Sequence, residues 1–304
     1  MNIFEKVKKF FNKRVFELYV SKIQKTPPIE CRSHAQVTIV TMLGHTQVSM
    51  FILALKSFIR FYPNISLDIL DDTTLTDQDY KLLSSHFLGV NIIRIDVVDT
   101  ENCPKRNCWE RLVYIVNKSK DSYIIQLDSD TLTIGPCVDV YAAIDNNHGF
   151  VIGGGPWISP ISTKNMSNIA TSWKSNHIQP VSERVLGQLE STKNLNYLRG
   201  CAAFCGFPKG SLNMEWLNKF SDEMEAVIGK DRWNEWGSEQ LASNILLSKT
   251  NNAFILPWPR YQNYMEPGSD DKIENSNFIH FIGSQRYNKG TYSKLAKKII
   301  KQLS

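Results

Sequence analysis

No uninterrupted apolar stretch near the N-terminus is long enough for a signal peptide or a membrane span. A cytoplasmic chain is therefore expected, and its six cysteines, at 31, 103, 108, 137, 201 and 205, are expected to be reduced thiols. Cys201-x-x-x-Cys205 lacks the two-residue spacing of a zinc knuckle and sits in an apolar, strand-like run, so it reads as core. Internal repeats, low-complexity stretches and obvious linkers are missing too, which leaves a single domain as the expectation. Acid is scarce at both ends. Residues 286–304 hold six basic side chains and no acid, and residues 1–25 hold seven against Glu5 and Glu17. The whole chain carries only +5, so the body between these ends is net negative. That split argues against a nucleic-acid partner, whose footprint is a basic face on the folded body.

What is present is a 304-residue chain, 42% hydrophobic, large enough to bury a substantial core. Val37–Met42 is a β-branched run. In "QVSMFILALKSFIRFYP", Val48, Phe51, Ile52, Leu55, Phe58 and Ile59 recur with the helical period until Pro63 stops it. "SLDIL" reads as the next strand, and Thr76 opens a helix over "TDQDYKLLSSHF" with Asp79 in the capping-box position. "VNIIRID", "NCWERLVYIVNK" and "SYIIQLD" then follow as strand, helix and strand. Such alternation predicts an α/β fold with a mainly parallel central sheet flanked by helices. Later, "GFVIGGGP", "GCAAFCGF" and "NFIHFIG" read as strands, with helices after Pro208 and over "GSEQLASNILLSK". The segment from about 156 to 198 is polar and poorly patterned, and is expected to loop over the site.

The stretch "SYIIQLDSDTLTIGP" sets Asp128 and Asp130 at the end of an apolar strand, where solvated acids are not expected. In an extended segment both side chains point to one side, and two crowded carboxylates call for a cation or proton between them. Ligands on parallel sheets bind beyond the carboxyl ends of the strands, where this pair sits. A second match, Asp77-Gln78-Asp79, lies at a helix start, where carboxylates belong anyway. Three readings fit Asp128 and Asp130: a strand-end turn without function, the nucleophile motif of a haloacid-dehalogenase phosphatase, or a divalent-metal site for a nucleoside diphosphate. The phosphatase motif needs threonine where Leu132 stands, and it belongs near the start of its domain. Hard oxygen ligands suit Mn²⁺ or Mg²⁺ bridging phosphates, and such an ion relieves the crowding.

Four segments in order carry a resemblance. "CWERLVYIVNKSKDSYIIQLDSDTLTIGP" resembles the tyrosine-x-arginine-leucine helix and leucine-aspartate-x-aspartate strand end of GT-A glycosyltransferases, above all of glycosyltransferase family eight. That family includes glycogenin and bacterial lipopolysaccharide galactosyl- and glucosyltransferases. "WGSEQLASNILL", "LPWPRYQNY" and "HFIGSQRYN" resemble three later family segments, the last an H-x-x-G-x-x-K-P-W signature. The resemblance spans about residues 37 to 290. It implies a GT-A fold, with Asp128, Asp130 and His280 as ligands of Mn²⁺ (or Mg²⁺) and Asp128 also near the ribose. It places Gly283 and Arg286 at the diphosphate, with Arg286 standing for the family's lysine, and Arg111 near the donor sugar. Glu239 and Gln240 match the pair beside the anomeric carbon. The early aspartates that hold the base are missing around "TMLGHTQ", Leu198-Arg199-Gly200 replaces an asparagine-serine-glycine, and Tyr287 and Asn288 replace the Pro-Trp. Trp157 is a candidate for stacking on a sugar or for packing its loop.

The expected activity is metal-dependent transfer of a hexose from a nucleotide sugar, a UDP-hexose, to a glycan or lipid-linked acceptor with retention of configuration. Two alternatives stay open: inverting transfer with Glu239 as base, and a sugar-nucleotide-binding protein without transfer. A sugar-phosphate nucleotidyltransferase would want a glycine-rich loop with Arg and Lys after the first strand, and "TMLGHTQVSMF" has none. The expected layout is a basic amphipathic helix over 1–30, one GT-A domain over 31–285 and a basic C-terminal helix over 286–304. Basic amphipathic helices at the two ends fit either peripheral attachment to the inner, anionic face of a membrane or ordinary packing on the body.

Overall fold

The computed structural model describes residues 3–264 and 273–304; of the expected N-terminal segment, residues 1 and 2 lie outside the described residues. The helices that matter here are α1 (Ile3–Val20), α2 (Val48–Ile59), α3 (Asp77–His86), α4 (Trp109–Lys118), α5 (Val138–Asp145), α6 (Thr163–Thr171), α7 (Ile178–Glu183), α8 (Met214–Ile228), α9 (Ser238–Lys249) and α10 (Thr291–Leu303). The strands are β1 (Val37–Leu43), β2 (Ile65–Asp71), β3 (Asn91–Arg94), β4 (Tyr123–Leu127), β5 (Thr131–Thr133), β6 (Phe150–Ile152), β7 (Cys201–Phe207), β8 (Phe254–Ile255), β9 (Tyr261–Asn263) and β10 (Phe278–His280). Seven of them form one sheet in the order β8-β6-β7-β4-β1-β2-β3, parallel except for β7, which runs antiparallel to both neighbours.

Helices cover both faces of this sheet, so its strands are nearly continuous apolar runs. Along β4, Ile125 and Leu127 join one core layer with α2 and α10, while Ile124 joins the other with α4, α8 and α9. The alternation follows from the two-residue period of a strand. Thr76 caps α3 and Asp79 returns the bond to its backbone, as the capping pattern predicts. Gly200, just before β7, is a true packing requirement. An added Cβ there would run into Val151 and lie 2.7 Å from the Ile152 carbonyl.

A second, three-stranded sheet carries much of the site. β9 pairs parallel with β10, and β10 antiparallel with β5, so Asn263, His280 and Thr131 lie side by side. The C-terminal strand expected from "NFIHFIG" therefore belongs here rather than in the main sheet. The segment from 156 to 198 is not one long loop: it contains α6, α7 and a two-residue strand pair that joins Ile161–Ser162 to Asn196–Tyr197.

The terminal helices pack on each other and on the body, sharing one core with it. Phe16 stacks on Tyr292 at 4.1 Å between ring centroids, and Val20, Ala296, Ile299 and Ile300 are buried in the same layer. Lys9 also donates to the Ser284 carbonyl and Asn12 to the Tyr287 carbonyl, the latter at 2.9 Å. The two basic helices differ in what they leave outside. α10 buries its apolar face and exposes lysines. α1 leaves Phe4 (73%), Val7, Phe11 and Leu18 (69%) exposed along one stripe, beside exposed Lys6, Lys8 and Lys13. Among the described residues, no helix is long and apolar enough to cross a membrane.

Candidate active site

A cavity of about 730 Å³ opens beyond the carboxyl ends of β1 and β4. All eight site residues that the resemblance implies line it: Arg111, Asp128, Asp130, Glu239, Gln240, His280, Gly283 and Arg286. They come from α4, the β4–β5 turn, α9, β10 and the segment after it.

β4 ends at Leu127, so Asp128 and Asp130 sit in a turn and not in extended backbone. The expected strand register is therefore lost, the two carboxylates take different arginine partners, and Asp130 still adds to the upward push on Asp128. Asp128 accepts from Arg111 Nη1 at 2.7 Å; Asp130 accepts from Arg286 Nη2 and lies 3.5 Å from His280 Nε2. Two separate guanidinium groups thus relieve the crowding that the sequence implied. Burial raises the Asp128 carboxyl, with Arg111 opposing it. For Asp130 burial also pushes upward, but His280 and Arg286 outweigh it and hold the group at about 2.

Arg111 is buried and forks between two carboxylates, with Nη2 donating to Glu239 Oε1 at 3.2 Å. Desolvation disfavours its charge, yet Asp128 and Glu239 more than compensate and raise its pKa. Glu239 is pushed up to about 7 by burial, against the pull of Arg111. Gly237, in the left-handed region at φ 102°, starts α9 and delivers Glu239 and Gln240 on its first turn. An added Cβ at Gly237 would meet His177 Cε1 at 2.9 Å, so that turn is committed to glycine twice over.

The tautomer of His280 follows from its neighbours. Asn263 Nδ2 donates to the Gly153 carbonyl at 3.0 Å, which leaves Asn263 Oδ1 as an acceptor facing His280 Nδ1 at 2.8 Å. Nδ1 must then carry a proton. Nε2 is left facing Asp130, where the geometry demands either a second proton or a cation. Burial works against a charged imidazole, while Cys201 and Asp130 raise its pKa above the ordinary value. A ring nitrogen held by an amide oxygen on its far side is the usual arrangement of a metal-binding histidine. Asp130 Oδ1 and His280 Nε2 offer an oxygen and a nitrogen to a divalent cation, and Asp128 meets Arg111 through Oδ1. Among the described residues no three His, Cys, Asp or Glu side chains stand together as a ready cluster.

Several lining residues carry no signal in the sequence. Gln47 and Asp72 lie at the β1–β2 end, where the early aspartates of the family pattern are missing. Cys205 is core, but Cys201 lines the cavity and its Sγ lies 3.7 Å from His280 Nδ1. Trp157 does line the cavity, and its ring carries the Arg199 guanidinium at 4.7 Å. Gly283 borders open space: an added Cβ would meet only Arg286 Nη2, at 3.8 Å.

No family model matches the sequence, and no curated protein matches it either. Solved structures do. The galactosyltransferase LgtC, determined with donor and acceptor sugar analogs, aligns over 88% of this chain and 96% of its own, with a TM-score of 0.52 and 11% identity. The bifunctional glycosyltransferase WbbM, in its apo form, aligns over 89% of this chain with a TM-score of 0.51 and 12% identity. This chain has the GT-A fold. It spans about half of WbbM, 52%, and nearly the whole of LgtC. The single antiparallel strand β7 inside an otherwise parallel GT-A sheet sets the turn after β4 against the start of β7. Asp128 N–H donates to the Ala203 carbonyl at 2.9 Å, which fixes the first aspartate in place.

Proposed function

We propose that this GT-A chain is a metal-dependent glycosyltransferase that moves a hexose from a UDP-sugar to a hydroxyl of a glycan or lipid-linked acceptor. One observation carries the reading. A single cavity is lined by Asp128, Asp130, His280 and Arg286 together with the Glu239–Gln240 pair. The likeness to LgtC, a galactosyltransferase with donor and acceptor sugar analogs, supports transfer between sugars as the class of reaction.

Asp128, Asp130 and His280 would hold the cation, and the imidazole favours Mn²⁺ over Mg²⁺. Bound there, it supplies Lewis-acid neutralisation of charge on the departing diphosphate. Arg286 adds a fixed positive charge at the same oxygens and, as a fork, grips them in two directions. Arg111 bridges Asp128 and Glu239 at the sugar end. Gln47 and Asp72 supply polar groups at the end left for the base.

Retention is the favoured course. Glu239 is buried, with 4% of its surface exposed, and its Oε1 is already committed to Arg111, which suits a fixed electrostatic role better than proton abstraction. The acceptor hydroxyl then attacks the anomeric carbon from the front face as that carbon's bond to the phosphate breaks, the hydroxyl proton passes to the leaving phosphate, and Gln240 would steady the oxocarbenium-like charge. The exposed stripe of α1 and its lysines suit an anionic membrane surface, and with it a lipid-linked acceptor. The test is release of UDP from a panel of UDP-hexoses, with Mn²⁺ and with a chelator. Binding without release in every case would leave a sugar-nucleotide-binding protein.

A further inference from the structure

Gln240 is not held by its own helix alone. Its Oε1 accepts from the Ala202 N–H of β7 at 3.1 Å, and its Nε2 donates to Gln179 Oε1 at 2.8 Å. Gln179 Nε2 in turn donates to Glu183 Oε1, one helical turn later on α7, at 3.0 Å. Glu183 is fully buried and also accepts from Tyr197 Oη at 3.1 Å and from Arg199 Nε at 2.8 Å. Arg199 is fixed between two indoles, with its guanidinium 4.7 Å from the Trp157 ring and 5.2 Å from the Trp173 ring.

The direction of every bond in this chain is forced. An ion-paired carboxylate only accepts, so Gln179 must turn its NH₂ toward Glu183. Its oxygen then faces Gln240, which must answer with NH₂, and the Gln240 oxygen is left toward Ala202 N–H. We infer that Gln179 and Glu183 are positioning residues. Together with Arg199 they reinforce, from the Nε2 side, the one amide orientation of Gln240 that the Ala202 N–H, a donor only, also requires, and so hold that amide still for the reaction. The segment that supplies them, 156–198, thereby has a task beyond walling the cavity. The inference rests on the proposed transfer reaction for its catalytic meaning. The hydrogen-bond chain itself stands on the structure.

The test combines kinetics with a readout that needs no turnover. Gln179→Leu keeps the size of the side chain and removes both bonds. With UDP-glucose or UDP-galactose as donor, kcat for UDP release should fall about tenfold while KM for the donor stays within about twofold. Glu183→Gln should act in the same direction, since an amide no longer dictates the orientation of Gln179. In a Gln240→Ala background the Gln179→Leu effect should vanish, because a group acting through Gln240 has nothing left to position. In ¹⁵N-labelled protein, the side-chain amide signals of Gln240, identified by their loss in Gln240→Ala, should shift on Gln179→Leu. Equal kcat, a change in KM alone, or additive losses in the double variant would overturn the inference while leaving transfer intact. If the unaltered protein releases UDP from no donor, the transfer reading falls. The amide signals then decide the relay by themselves: unshifted signals refute it.

Discussion

Asp128 and Asp130 are two residues apart yet bind different guanidinium groups, Arg111 from α4 and Arg286 from beyond β10. Each carboxylate is thus tied to a separate part of the fold, and the turn between them is the point where those parts meet.

The first prediction concerns the cation. Asp130→Asn keeps the shape of the side chain but removes the charge that faces both Arg286 and His280. Mn²⁺-dependent UDP release should drop by about a hundredfold or more, and the Mn²⁺-induced rise in Tm should disappear. Full activity in the presence of a chelator would end the metal mechanism.

Glu239 makes stability depend on pH. Its folded-state pKa of about 7 lies above the ordinary 4.5, so the folded form holds the proton more tightly. That contribution is complete below pH 4.5 and is lost as pH rises through 7, a swing of about 3 kcal/mol. Glu239→Gln should therefore gain on the unaltered protein between pH 5 and pH 8, as read by Tm of both. Asp130 acts in the opposite window: held at about 2, it contributes stability above 3.8 that fades as pH falls toward 2. A constant gap in Tm across pH 5 to 8 would remove the Glu239 assignment.

The stripe on α1 predicts attachment to vesicles containing anionic lipid. Replacing Phe11 and Leu18 with Ser should abolish co-sedimentation at low salt, while Tm changes little because both side chains are exposed. Raising the salt should weaken binding of the unaltered protein by screening its lysines. No sedimentation of the unaltered protein at low salt would dismiss the membrane.

For stereochemistry, Gln240→Ala should slow transfer about a hundredfold with donor binding retained. An α-linked donor should give an α-linked product, read from the coupling of the anomeric proton. A β-linked product would assign the role of base to Glu239.

The periodic parts of this chain were legible and the coupled parts were not. Val48 to Ile59 announces its helix because its apolar face repeats, and "SYIIQLD" announces a buried strand. The same pattern gives no hint that Lys56, inside that helix, is fully buried with its ammonium on Thr26 and Pro27. That Asp128, Asp130 and His280 belong to one cavity was legible because they lie in segments that resemble the family's, in the same order. Their geometry was not, since it depends on where the strand stops and on which arginine each carboxylate reaches. The segment "LPWPRYQNY", which resembles a family segment, offered the one available hint of Asn263. Gln179, Glu183 and Arg199 lie in a stretch without hydrophobic period, and they acquire meaning only when α7, β7 and α9 converge.

The contacts of α1 bear on how the protein is best handled in the laboratory. An exposed run of phenylalanines invites trimming to improve solubility. Removing the first twenty residues would also take away Lys9, Asn12 and Phe16, which hold Ser284, Tyr287 and Tyr292 on either side of Arg286. A trimmed protein would then dissolve more readily and lose its grip on the segment that carries Arg286. Polar replacements at Phe4, Phe11 and Leu18, with Lys9, Asn12 and Phe16 left in place, improve handling without loosening that grip.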